Sequence, residues 1–176
     1  QALQEHFGVH YVVCTSSCTT GLILALRGLP AGSEVIVPSF TFCATVHAIV
    51  WNGLVPVFVD CDSRTLNISP ERAREAITDR TSAILGVHVF CNPADIDSLT
   101  HIAEEHNLKL FFDAAHGFGA TYKGQPLGSA GDASVFSSSP TKLVVTGEGG
   151  AVATNDEAIA ESIRVGREYG NPGDYD

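Results

Sequence analysis

The sequence predicts an α/β fold, a largely parallel β-sheet with helices on both faces, and three observations predict it. Short apolar runs alternate with helically spaced segments along the whole chain, and seven of those runs have the length and bounds of strands. A composition of 44% hydrophobic residues, 17 glycines and 17% charged residues suits a packed α/β domain rather than a disordered chain. The length of 176 residues supports one domain with a sizeable core.

The elements follow in order. Tyr11-Val12-Val13-Cys14 reads as the first strand, and the hydroxyl-rich turn Thr15-Ser16-Ser17-Cys18-Thr19-Thr20-Gly21 opens a helix over 18–29, with Ser17 as a candidate N-cap. Further strands are expected at Val35-Ile36-Val37, 55–59, 83–87, 108–112, 133–136 and 150–153, and further helices at 42–52, 69–77, 95–106 and 156–168. Asn92-Pro93-Ala94-Asp95 is a loop entering a helix that Asp95 caps, and Gly147-Glu148-Gly149-Gly150 turns the chain into a neighbouring strand. No internal repeat, low-complexity tract or linker interrupts the pattern.

Charge and cysteine content exclude several functions. A formal net charge of −10 argues against nucleic acid and against an anionic membrane surface, since both require clustered Lys and Arg. No apolar run has transmembrane length and no signal pattern opens the chain, so the cytoplasm is the expected location. Cys14, Cys18, Cys43, Cys61 and Cys91 are scattered and lack the paired spacing of a zinc site, so no metal is expected, and they read as buried thiols in a reducing compartment. His47, among Val46, Ala48 and Ile49, reads as helical.

Three segments carry candidate chemistry. Lys142 lies between the hydroxyl-rich Phe136-Ser137-Ser138-Ser139-Pro140-Thr141 and the glycine turn, followed by Leu143, Val144 and Val145. Apolar neighbours of that kind would strip water from the ammonium and favour a neutral, nucleophilic amine, as the Schiff-base lysine of a pyridoxal phosphate (PLP) enzyme requires. Leu110-Phe111-Phe112-Asp113 reads as a buried parallel strand delivering Asp113 at its carboxyl end, where α/β sheets collect ligands. A carboxylate there holds a pyridine nitrogen protonated; alternatively it caps the next helix. His116 suits a hydrogen bond to the cofactor's phenolic oxygen or a satisfied core position. The first helix start, with free amides and a favourable dipole, suits a phosphate.

Together, Ser17-Cys18-Thr19-Thr20, Pro38-Ser39-Phe40-Thr41-Phe42-Cys43-Ala44-Thr45, Asp113-Ala114-Ala115-His116, the serine-rich segment ending in Lys142, and Gly147-Glu148-Gly149-Gly150 resemble the DegT/DnrJ/StrS family of PLP-dependent sugar aminotransferases, from the first residues to Asp176. The resemblance implies the three-layer α/β/α large domain of a fold type I PLP enzyme, with a mostly parallel seven-stranded sheet. It also implies roles. Lys142 matches the lysine that carries the cofactor, Asp113 the pyridinium partner, His116 the residue near the phenolic oxygen, Ser137 the phosphate-binding serine, Phe42 the aromatic that stacks on the ring, and the main chain at Cys18 and Thr19 the phosphate turn. Catalytic work falls to Lys142, Asp113 and His116. Two departures stand out: Cys18 replaces a residue that is commonly glycine, and Ser139 a frequent histidine or asparagine. A lysine at 142 argues against the family's dehydratase branch, which has histidine there.

The implied activity is transfer of an amino group from an amino acid, usually glutamate, to a nucleotide-linked keto sugar in deoxyaminosugar, surface-polysaccharide or antibiotic biosynthesis, in a homodimer. The alternatives are amination of a non-nucleotide ketone such as a cyclitol, and a non-catalytic module that keeps the PLP fold. Family members are much longer, and this chain opens at Gln1 without any methionine. Residues 1–176 are therefore expected to be a fragment of the PLP-binding large domain, lacking its start and the small domain that follows.

Overall fold

A computed structural model describes residues 1–168, 170 and 171. Its elements are α1 (Ala2–Phe7), β1 (Tyr11–Thr15), α2 (Cys18–Leu26), β2 (Glu34–Pro38), α3 (Cys43–Trp51), β3 (Val55–Val59), α4 (Pro70–Glu75), β4 (Thr81–Val87), α5 (Ile96–His106), β5 (Lys109–Asp113), β6 (Thr121–Tyr122), β7 (Gln125–Pro126), β8 (Ala133–Ser137), β9 (Gly150–Thr154) and α6 (Glu157–Arg167). The seven principal strands form one sheet in the order β1-β9-β8-β5-β4-β2-β3. Only β9 runs against its neighbours, pairing antiparallel with both β1 and β8, while the other pairings are parallel. The expected architecture is the one observed.

Strand alternation divides the sheet's side chains between two cores. Val35, Val37, Leu85, Phe111, Val135 and Val152 point to one face, where Leu22 and Leu26 of α2, Ala48 and Ile49 of α3, and Ala160 and Ile163 of α6 cover them. Ile36, Ile84, Leu110 and Phe112 point to the other, against Phe7 of α1, Ala73 of α4, and Leu99 and Ile102 of α5. Two buried faces explain why β2 and β8 contain no exposed position.

Caps agree with the sequence. Ser17 Oγ accepts from the Thr20 amide at 3.0 Å, Asp95 Oδ1 from the Ser98 amide at 3.2 Å, and Asp156 Oδ1 from the Ala158 amide at 2.8 Å. His47 lies on α3 as expected.

Several expectations are corrected. The helix expected over 18–29 ends at Leu26, because Gly28 weakens it and Pro30 disfavours helical geometry at Leu29. The helix expected over 69–77 is shorter, 70–75. The β6–β7 hairpin, four paired residues long, has no strand-length signal and was not anticipated. Only Cys18 is a buried thiol; Cys14, Cys43 and Cys91 are exposed and Cys61 is half-buried. Tyr169 and residues 172–176 lie outside the described residues. Among the described residues no helix is long and apolar enough to cross a membrane.

Candidate active site

Six strands run in one direction and end on the same edge of the sheet, and the segments leaving five of them line one cavity of about 650 Å³. Ser17, Cys18 and Thr19 follow β1; Phe40 and Phe42 follow β2; His88 and Phe90 follow β4; Asp113 closes β5, ahead of His116; Ser137 closes β8, ahead of Lys142. Glu148 and Gly149 arrive from the turn before the reversed strand β9. All seven residues singled out in the sequence, Cys18, Thr19, Phe42, Asp113, His116, Ser137 and Lys142, border this cavity. It lies outside the carboxyl ends of the strands, where open α/β sheets bind ligands.

Asp113 is buried at the cavity floor. Its Oδ2 accepts from Thr45 Oγ1 at 2.7 Å and its Oδ1 from the Ala115 amide at 3.0 Å, while the Cys18 thiol donates a long contact to Oδ1 at 3.9 Å. Burial pushes this carboxyl up, opposed by the hydrogen bonds from Thr45 and Ala115 and, to a lesser extent, by the nearby Lys142 ammonium. The alternative reading of Asp113 as a helix cap is overturned, because turns and no helix follow β5. Cys18 is pushed well up, by burial first and by Asp113 second, so its thiol stays protonated.

His116 is half-buried, not a core residue, and its ring lies nearly parallel to that of Phe90 at 5.8 Å and 15°. Burial first, then Lys142, lower its pKa and favour the neutral imidazole. Phe42 is 74% exposed at the start of α3.

The start of α2 presents an anion site. The Gly21 amide bonds to Ser17 O, and the Thr20 amide is taken by Ser17 Oγ, so the first-turn amides of Cys18 and Thr19 precede the helical ladder. The register sets Gly150 between Thr15 of β1 and Ser137 of β8, and Ser137 borders the same cavity as that turn. A Cβ on Gly150 would stand 2.5 Å from the Ser17 carbonyl carbon and 2.6 Å from the Cys18 nitrogen, so this close approach requires glycine.

Lys142 is half-buried, and its amide bonds to Ser139 O at 3.0 Å. One premise about it is corrected. Leu143 is 77% exposed and Val145 52%, so these neighbours do not dry the ammonium. The segment from Ser138 to Gly149 is a string of turns along the cavity rim with most of its residues exposed.

Sequence reasoning missed Thr45, His88, Phe40 and Phe90. Thr45 carried a signal, a hydroxyl one helical turn beyond Phe42 on an otherwise apolar helix face. His88 and Phe90 carried none, because their places depend on the loop after β4.

The whole chain, residues 1–176, matches the model of the DegT/DnrJ/EryC1/StrS aminotransferase family. The chain belongs to this family. It is 40% identical over 172 residues to GDP-perosamine synthase of Caulobacter vibrioides, covering 97% of this chain and 46% of that protein. It is 42% identical over 165 residues to L-glutamine:2-deoxy-scyllo-inosose aminotransferase of Streptomyces fradiae, covering 93% and 39%. Among solved structures, DesI in the presence of its TDP-sugar product superposes with a TM-score of 0.92 at 45% identity, covering 99% of this chain and 44% of that one. NtdA of Bacillus subtilis with bound cofactor PMP superposes at 0.87 with 36% identity, covering 93% and 37%. The chain thus spans less than half the length of these relatives.

Proposed function

We propose that the protein is a PLP-dependent aminotransferase that moves an amino group from an amino acid, with glutamate the proposed donor, to a nucleotide-linked keto sugar. The observation that carries the reading is the meeting of an amine, a buried carboxylate and a helix-start anion site, from three distant stretches of chain, on one cavity. These groups fit PLP in kind: the Cys18 and Thr19 amides and the Ser137 hydroxyl suit its phosphate, Asp113 its ring nitrogen, His116 its phenolic oxygen, Phe42 its ring face and Lys142 its aldehyde.

Bound PLP supplies an electron sink. Asp113 would pair with the cofactor's protonated ring nitrogen, and Thr45 and the Ala115 amide hold its carboxylate in place for that role. Lys142 would hold the cofactor through its amine and, once freed from it, would serve as the general base and acid of the site. A neutral His116 would donate to the cofactor's phenolic oxygen without adding a competing charge.

The family and relatives named GDP-perosamine synthase and dTDP-4-amino-4,6-dideoxy-D-glucose transaminase support a nucleotide-sugar acceptor. A cyclitol acceptor is the second reading, favoured by the 42% identity to the 2-deoxy-scyllo-inosose enzyme. A homodimer and a cytoplasmic location complete the proposal; the location is supported by five cysteines that are all free thiols.

The test uses the complete protein. Reconstituted with PLP, it should show the visible absorption of covalently held cofactor, and glutamate should bleach that band. Lys142→Ala should abolish it. A band that survives this substitution refutes the assignment, and a band untouched by any amino acid favours a non-catalytic module.

A further inference from the structure

We propose that Phe90 is the wall on which the acceptor's ring packs, and so a residue that sets acceptor choice; this rests on the aminotransferase reading. Phe90 leaves β4 with φ 51° and ψ 43°, and Cys91 follows with φ 65°. Two consecutive non-glycine residues in the left-handed region are strained, and such strain persists only where the surroundings over-determine it. They do so here. Asn67, 2% exposed, accepts from the Val89 amide at 3.0 Å and donates to the carbonyls of Asn92 at 3.1 Å and Pro93 at 3.0 Å. Buried His88 accepts from the Ala94 amide through Nδ1 at 3.1 Å and stacks on Phe112 at 4.6 Å. Both sides of the loop are therefore pinned to the core.

The strained backbone projects a large apolar ring away from that core. Phe90 is 67% exposed and borders the cavity, so core packing does not account for it. Its plane is nonetheless fixed, nearly parallel to His116 at 5.8 Å and edge-to-face with Phe40 at 6.2 Å. The stacking on His116 ties the ring to the residue proposed above to meet the cofactor's phenolic oxygen. Phe40 and Phe90 are the largest side chains of the cavity left without a role in holding PLP. A fixed aromatic face suits a cyclic ketone that turns C–H groups, rather than hydroxyls, toward it, the apolar side of a deoxygenated ring.

The experiment separates the two half-reactions in the complete, PLP-loaded protein. Phe90→Ala should leave the glutamate half-reaction within about twofold of the parent and raise the acceptor KM about ten- to a hundredfold, the span an apolar contact contributes to discrimination. The acceptor probes are GDP-4-keto-6-deoxy-D-mannose and 2-deoxy-scyllo-inosose. Phe90→Tyr, which keeps the ring face, should restore the parent KM. Equal loss in both half-reactions, an unchanged acceptor KM, or dissociation of the oligomer by Phe90→Ala would overturn the proposal, the last by showing that a second copy covers the ring. Failure of the parent to hold PLP or to aminate either probe would instead overturn the aminotransferase reading beneath it.

Discussion

Lowering the pH should destabilise this fold through His88 in particular. The side chain is fully buried and burial lowers its pKa from 6.5 to about 4. Because Nδ1 accepts from the Ala94 amide, the ring proton sits on Nε2, which has no partner among the described residues. The folded pKa lies below the unfolded one, so the neutral ring adds no penalty above pH 6.5. As pH falls, the unfolded chain binds a proton that the folded chain refuses, and stability drops until both bind it below about pH 4. The interval, at 1.36 kcal/mol per pH unit, makes the loss about 3 kcal/mol. His88→Asn keeps an acceptor for Ala94 and removes the titration, so it isolates this effect from the carboxylates that also titrate. Urea unfolding of parent and variant between pH 7 and pH 4 should show the parent losing about 3 kcal/mol more than the variant. A difference that stays constant across that range would refute the account.

Two further outcomes are expected. Asp113→Asn should raise the melting temperature of the cofactor-free protein at neutral pH while abolishing transamination: a carboxyl whose folded pKa is raised penalises the fold above the usual carboxylate range, and that penalty disappears as pH falls through it. Calorimetry at pH 7 and pH 4 checks this, and an earlier melt of the variant at pH 7 contradicts it. Gly150→Ala would drive a Cβ into the Ser17 and Cys18 backbone, so a loss of about 1–3 kcal/mol and weaker PLP binding are expected from denaturation and cofactor titration; unchanged affinity would disconnect the glycine from the phosphate site.

Much of this protein was legible in its residues because short-range rules govern them. Period and punctuation placed all seven principal strands, and a hydroxyl and a carboxylate cap marked the starts of α2 and α5, since a cap needs only the next three residues. Asp113 was recognisable at the end of an apolar strand. Lys142 was recognisable too, but its surroundings were not, because whether Leu143 and Val145 cover it or face water depends on distant chain that local sequence does not name.

The sequence by itself determined which residue types stand where each strand gives way to turn, and so the chemical inventory of the site. Only the tertiary structure decided their company. The order β1-β9-β8-β5-β4-β2-β3 is set by how helices cover two faces of a twisted sheet, and that order brings residues 18, 113, 137 and 142 to one edge. It also decided the Thr45 bond to Asp113, the strained presentation of Phe90 and the protonation of His88. Each arises from burial and contact between segments far apart in the chain, and those quantities exist only once the chain has folded.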